Sequence, residues 1–597
     1  MTKSILNDAP EWQMDDAYGS LADERWLKSE ARVRRLTDDI RGMLQEGCGE
    51  DVLSRALTAY EEALTLQSSM QTFAKCLGAK DSTDPAPSAA MNLTAGLLHE
   101  LEKASAPLFA ALAALSPESP LWAKKPFSHW QFVIRERQND WHNKLSESDA
   151  GFFSDIEAKA FMPLGTMHKS LQKLVDFEAK SAAGETVRVR AAKMVAVLKG
   201  DPDPVLRRTT GDGMRAWYAR HGDLYAGLLN ELHGIRLAGF DRAGVDPLEV
   251  SLAQNRMSRA SLEAIRTAIL RNLDWVREGI RLRAKVLGVE QMGFYDVMAP
   301  APEASGGVAR TLSYEEGIGL VKRALGTVNP EMPAFIDLML RNRWLDAKPS
   351  DKKVGGAFYA RFNEFRIPRV FSTYLGSITS VLQQGHELGH AFHYWTMRDL
   401  PMIETEFPMT LTETASTFNE AVIRRVLLNE AEGEERFKML WQDVRSAGNF
   451  LINTMVRMEF ELAFLEERRR GVVSAERCCS LMGDVWKRWY GEDATPDVWL
   501  WAHKLHYYKT DQFIYNYPYT VGYLMSLALM REWEARGEAF YGFYVGMLRD
   551  TGRMTVDEII RVHFGADASD PAFWEGAMQS ARQATEAFAE IVEARLR

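Results

Sequence analysis

Two imidazoles and a carboxylate occur together at His386-Glu387-Leu388-Gly389-His390. On a helix, residues four apart lie one turn apart on the same face, so both imidazoles can reach one zinc ion. Glu387, between them, can reach a water on that ion without being a ligand, the position of a general base in metal-assisted hydrolysis. Only twelve histidines occur in 597 residues, which makes such a pair easier to notice. A helix with two core histidines would share the spacing, so a third ligand is required.

Downstream, Glu404, Glu406, Glu413 and Glu420 are the candidates. The metzincin pattern needs Gly and His three and six residues after the second His; here those positions hold His393 and Thr396. Glu404 and Glu406 lie in the Pro-bounded stretch PMIETEFP, where ligand geometry is harder to fix. Glu413 begins the helical segment 412–428 and would complete a His₂Glu site with an open fourth position. Glu420, seven residues on, could accept a hydrogen bond from a ligand imidazole's other nitrogen, or serve as a plain interhelical carboxylate. His393 is read as a packed neighbour of the site.

A second cluster lies at 506–523, where six of the 18 tyrosines fall within 17 positions: Tyr507, Tyr508, Tyr515, Tyr517, Tyr519 and Tyr523. Phenol hydroxyls are useful donors where an oxyanion develops, and His506 could add another. An aromatic core or interface cluster would read the same way.

These residues need elements to position them. Ser377 is a plausible N-cap for a helix through 377–395, with Val381, Leu388, Phe392 and Trp395 as its buried stripe. Gly385 and Gly389 would let another backbone approach closely. Just before it, 354–376 is rich in aromatic and β-branched residues and predicts a small sheet or hairpin, with the Pro368 strand at an edge. Elsewhere helical periodicity dominates: 21–77, a stretch ending near Ala114, 153–182, 201–239, a stretch from Leu262, and most of the chain after Gly376. A polar, Pro-bearing loop at 79–89 separates the first two of these runs. The expected fold class is mainly α, with a small β element beside the metal helix.

Composition bounds the class. Hydrophobic residues make up 46% and charged residues 26%, ordinary globular values. A net charge of −10 argues against a general binder of nucleic acid or anionic membranes. Residues 1–16 contain no apolar core of a secretory signal, no run of 18 apolar residues appears, and Cys48, Cys76, Cys478 and Cys479 form no CxxC unit. A reducing, cytoplasmic location is expected.

HELGHAFH followed by ETASTFNE, with Glu413 23 residues beyond His390, resembles the oligoendopeptidase F branch of the thimet oligopeptidase family of zinc peptidases. FRIPRVFSTYLGSITSVLQQ resembles the family's strand and approach to its active helix, and YNYPYTVGYLMS its segment of transition-state donors. Weaker matches at 12–18, 81–89, the helix after Asp201 with Asn230, and 312–325 extend the likeness over nearly the whole chain. HAFH stands where other branches print HAMH or HALH.

The resemblance implies a two-lobed helical body around a deep substrate channel, a gluzincin-like HExxH catalytic domain, and one Zn²⁺ per chain. It makes His386, His390 and Glu413 the metal ligands, Glu387 the catalytic base, and His506 with one or two of Tyr515, Tyr519 and Tyr523 the donors to the oxyanion. Residues 1–200 would be an N-terminal helical lobe walling the channel, and 201–597 the catalytic domain with its core at 350–525. The partners expected are short peptides lying extended against the 366–376 strand, with no nucleic acid and no membrane. A carboxypeptidase or dipeptidyl carboxypeptidase would share the architecture. A helical peptide-binding protein with a vestigial motif is the alternative from another class. Aminopeptidases that place Glu 19 residues after the second His are discounted, because Met409 stands there.

Overall fold

The structure, a computed structural model, describes residues 8–302 and 311–596; the first seven residues of the stretch read for a secretory signal lie outside them. The chain is mainly α, as expected. The elements used below are α1 (Glu24–Gln45), α2 (Glu50–Lys80), α3 (Ala86–Ala113), β1 (Asp176–Lys180), β2 (Thr186–Arg190), α4 (Ala191–Gly200) and α5 (Pro204–Ala243), followed by β3 (Leu345–Asp346), β4 (Phe358–Phe362), β5 (Ile367–Phe371), α6 (Ile378–Met397), α7 (Met409–Glu430), α8 (Thr454–Arg470), α9 (Tyr517–Arg536) and α10 (Pro571–Leu596).

Two compact units share the chain. One takes Met1–Asn139, Val308–Leu427 and Leu529–Phe564; the other takes Asp140–Gly307, Leu428–Ala528 and Gly565–Arg597. The boundary expected at 200/201 falls inside the second. Each unit gathers segments far apart in sequence.

In the first unit, three- and four-residue apolar steps put Val33, Leu36 and Ile40 on the inner face of α1, which Asp23 caps by accepting from the Arg25 N–H. Pro87 lies in the first turn of α3, where its missing N–H costs no helical bond. Trp12 and Tyr18 join Trp26, Phe73, Phe362 and Phe371 in one core cluster, so the 12–18 motif is a plug between α1, α2 and the sheet. The Trp12 and Phe371 ring centroids are 5.5 Å apart. Each such side chain contributes about 1.5–3 kcal/mol through burial.

The sheet order is β3-β5-β4, with β4 and β5 antiparallel from Phe358↔Phe371 to Phe362↔Ile367. The Pro368 strand is therefore central, not at an edge. Strand β3 pairs only with Val370 and Phe371. The N–H groups of Val370 and Ser372 donate to the β3 side, at Trp344 O and Asp346 O. Pro368 faces the same side two residues earlier, before β3 begins, so its missing N–H breaks no ladder bond.

The helix expected across 153–182 ends at Gln172, and β1 and β2 form a hairpin in the second unit, Asp176↔Arg190 to Lys180↔Thr186. The alternation Thr186-Val187-Arg188-Val189-Arg190 carried that signal. Asp203 caps α5 by accepting from the Val205 and Leu206 N–H groups, and the 40-residue helix closes on Gly244 at φ 64°. Phe588 and Val592 of α10 pack against Leu282, Leu440 and Trp441. Among the described residues no helix is long and apolar enough to cross a membrane, and the four cysteines are free thiols.

Candidate functional site

Helix α6 starts seven residues after β5 ends. Gly376 turns the chain at φ 74°, and Ser377 caps the helix by accepting from the Ser380 N–H. Val381, Leu388 and Phe392 are buried as expected, whereas Trp395 is half-buried and packs its ring 5.5 Å from Phe335. This buried stripe turns His386 and His390 toward α7.

The two helices touch backbone to backbone at Gly389. A Cβ there would lie 2.6 Å from both Ala415 O and Ser416 Cα. At Gly385 the neighbour is a side chain instead, Ile423 Cδ1, while Asn419 Nδ2 donates to Gly385 O at 3.2 Å. Close approach brings Glu413 to the imidazoles: its Oε2 lies 3.3 Å from His386 Nε2 and 3.5 Å from His390 Nε2. The donor atoms of His386, His390 and Glu413 all lie within 4.8 Å of one another. Bonds of ~2.05 Å to a tetrahedral ion put neighbouring ligand atoms ~3.3 Å apart, so this donor set fits a divalent metal ion.

Around these donors the neighbours fix orientation. His386 Nδ1 lies 2.7 Å from Glu420 Oε1, so an Nδ1–H donated there leaves Nε2 facing Glu413. Arg424 donates to Glu420 at 3.1 Å, and Ser416 Oγ donates to Glu413 Oε2 at 2.8 Å. The Tyr359 ring of β4 stacks on His390 with centroids 5.4 Å apart.

Electrostatics separate the roles. Burial opposes charge on His386, yet Glu413 and Glu420 together hold its pKa up at about 10. Two carboxylates on one imidazole call for a positive charge there, which a proton or a cation across the three donors supplies. Burial also raises the Glu413 carboxyl, but the hydrogen bond from His386 wins and holds it at about 2. His390, buried deeper, falls to about 4. Burial pushes Glu387 up to about 7, with Glu413 and Glu420 adding to the rise and His386 opposing it.

The remaining downstream carboxylates are used elsewhere: Glu404 lies 2.9 Å from His129 Nδ1, and Glu406 pairs with Arg361. His393 is fully buried, with Nε2 2.8 Å from Thr551 Oγ1 and its ring stacked on Phe407.

His506 and the tyrosines lie in the second unit. His506 Nε2 is 3.3 Å from Tyr519 Oη, and the Tyr515 ring is 5.6 Å from His506 and 5.5 Å from Tyr519. Burial, then Lys504, Arg457, Lys509 and Lys199, bring His506 down to about 2, so it stays neutral. Tyr523 stacks on Phe450 at 4.9 Å. The others pack as core: Tyr507 donates to Arg457 O, Tyr508 stacks on His168, and Tyr517 donates to Ser251 O. Tyr507, Tyr508 and Tyr517 thus follow the aromatic-core reading.

Sequence reasoning missed Ser416, Arg424 and Tyr359. The first two sit at i+3 from Glu413 and i+4 from Glu420, spacings that could have been read. Tyr359 had no such signal.

Residues 333–580 match the model of Peptidase family M3. Oligopeptidase PepF of Bacillus subtilis (strain 168) is 22% identical over 94% of this chain and 84% of its own. An oligoendopeptidase F homolog of Lactococcus lactis subsp. lactis (strain IL1403) is 23% identical over 69% of this chain and 70% of its own. The crystal structure of oligoendopeptidase-F from Enterococcus faecium superposes with a TM-score of 0.68 at 17% identity, covering 96% of this chain and 98% of that one. The resemblance carried by the motifs is borne out: residues 333–580 match Peptidase family M3, and oligoendopeptidase F proteins are among the curated and structural neighbours of this chain.

Proposed function

We propose that the protein is a zinc-dependent endopeptidase that hydrolyses internal bonds of short peptides in the cytoplasm. The observation that carries this reading is the convergence of His386, His390 and Glu413 within 4.8 Å, with the Glu387 carboxyl between the two imidazoles in the sequence. The three would hold one zinc ion, which supplies a Lewis acid that acidifies water and polarises the scissile carbonyl. Glu387, raised toward neutrality by burial, would take the water's proton and deliver it to the leaving amine nitrogen. Glu420 holds His386 in register through Nδ1. His506 and one or two of Tyr515, Tyr519 and Tyr523 would donate to the tetrahedral oxyanion, each worth about 2.7–4 kcal/mol when fully engaged.

Strand β5 is flanked by β3 and β4, so it is not the strand a peptide would join. The outer edge of β4 fits better, because Tyr359 on that strand stacks on His390. Backbone pairing there reads an extended peptide with little side-chain selectivity. The names of the M3 relatives, oligopeptidase and oligoendopeptidase, support the same substrate class. Free thiols at all four cysteines fit a reducing compartment.

Glu387→Gln tests the reading. The variant should keep about one zinc per chain and lose roughly 10²–10⁴-fold in cleavage. Near-normal turnover would remove Glu387 from the role. A peptide blocked at both termini separates endo- from exo-cleavage, since an exopeptidase leaves it intact.

A further inference from the structure

Residues 509–516, between a tight turn at Leu505–Tyr508 and α9, belong to no helix or strand, so their backbone groups need other partners. Side chains of α5 and α8 supply several of them. His233 Nε2 lies 3.1 Å from Tyr507 O, and Arg236, one turn on, donates to Lys509 O and, at 2.9 Å, to Gln512 O. Glu461 of α8 accepts from the Ile514 N–H, with Oε1 3.3 Å away. Thr510, Asp511, Gln512 and Phe513 line a cavity of about 350 Å³, so on that side packing does not fix them.

The strain of this segment falls on Ile514. It is fully buried at φ 46°, in the left-handed region. A β-branched residue enters that region at a cost and stays only where its surroundings impose it. Glu461 holds its N–H, and its O lies 3.5 Å from Ser251 Oγ. The next residue is Tyr515, whose ring stands 5.6 Å from His506 and 5.5 Å from Tyr519. The turn at Ile514 therefore sets where that phenol lies against His506, at the other end of the same segment. Glu461 is 1% exposed, and burial pushes its carboxyl up to about 7 while Arg236 opposes the rise. A core acid of this kind is costly to keep, and its hydrogen bond goes to the strained residue.

We propose that Arg236 and Glu461 are positioning residues that hold the 509–514 backbone, with its left-handed turn at Ile514, so that Tyr515 meets His506 as a donor to the oxyanion. This rests on the peptidase reading and commits Tyr515 to be one of the donors.

The test is a double-mutant cycle on the full-length, zinc-loaded chain, with kcat and KM measured on one peptide. Tyr515→Phe alone should lower kcat about 10²–10³-fold. Glu461→Leu removes the acceptor and should lower kcat about 10–100-fold with KM within about twofold, because the donor acts in the transition state. Glu461→Gln keeps an acceptor oxygen and should stay within about threefold of the unsubstituted chain. Arg236→Lys keeps the buried charge but loses the fork that reaches two carbonyls, and should cost about tenfold in kcat. In the Tyr515→Phe background, Glu461→Leu and Arg236→Lys should each cost no more than about twofold. Should Glu461→Leu fail to fold, Arg236→Lys decides by the same cycle. Full turnover by Tyr515→Phe, losses of equal size in both backgrounds, or a Gln variant as slow as Leu overturns the proposal. Hydrogen exchange, read by mass spectrometry, separates it from the peptidase reading: exchange across 509–516 should quicken in Glu461→Leu and not in Glu461→Gln. If the unsubstituted chain cleaves no peptide, the peptidase reading fails, and quickened exchange leaves the restraint on this segment standing. Unchanged exchange removes the restraint whatever the chain cleaves.

Discussion

His386 is held from both sides by carboxylates, Glu413 on Nε2 and Glu420 on Nδ1. Only the first would be a ligand; the second sets the ring's orientation and basicity. Glu420→Gln should therefore lower zinc affinity about 10–100-fold without abolishing binding, as read by competition with a chromophoric chelator. Unchanged affinity would make Glu420 a plain interhelical carboxylate. Tyr519→Phe is the counterpart in the second unit: zinc content should stay the same while turnover falls about 10²–10³-fold, measured on one peptide under saturating conditions. At this scale the sequence was most legible. The spacing of His386, Glu387 and His390 follows from helical geometry alone, and Glu413 from the helical pattern around it. The division among the tyrosines was not legible. Tyr507, Tyr508 and Tyr517 are core and Tyr515 and Tyr519 gather on His506, a distinction made by tertiary neighbours that no spacing encodes.

The crossing of α6 and α7 turns a local motif into a three-donor set. At Gly389 the obstacle to a Cβ is backbone, Ala415 O and Ser416 Cα at 2.6 Å; at Gly385 it is the tip of Ile423. Gly389→Ala should thus destabilise by about 1–3 kcal/mol and reduce zinc occupancy, because relief requires α7 and Glu413 to move. Gly385→Ala should be the milder of the two, since Ile423 can change rotamer. Urea unfolding with zinc analysis on both variants checks this, and equal effects would count against it. The pair was visible as a four-residue glycine spacing, but which glycine meets backbone was not. Strand β5 teaches the same point: Pro368 suggested an edge, and the strand is central because β3 is only two residues long and begins past the proline.

At the scale of the molecule, the long helical runs were readable and the partition was not, because periodicity reports which face is buried and not which segment covers it. In the second unit, Arg207 and Asp296 form an ion pair at 2.7 Å with side chains 2% and 8% exposed. Asp296→Ala would strand a buried guanidinium and cost about 3–5 kcal/mol. The urea midpoint should fall while zinc affinity, a property of the first unit, holds. Loss of zinc from the folded variant would contradict that separation. The first unit also draws on Leu529–Phe564, and His393 on α6 reaches Leu548 O and Thr551 in that late segment. During synthesis the metal helix emerges from the ribosome well before the residues that close over it. A chain released near residue 520 would carry every proposed zinc ligand and still leave His393 without its partners. The motif that is most local in the sequence is therefore among the last parts of the protein to be completed.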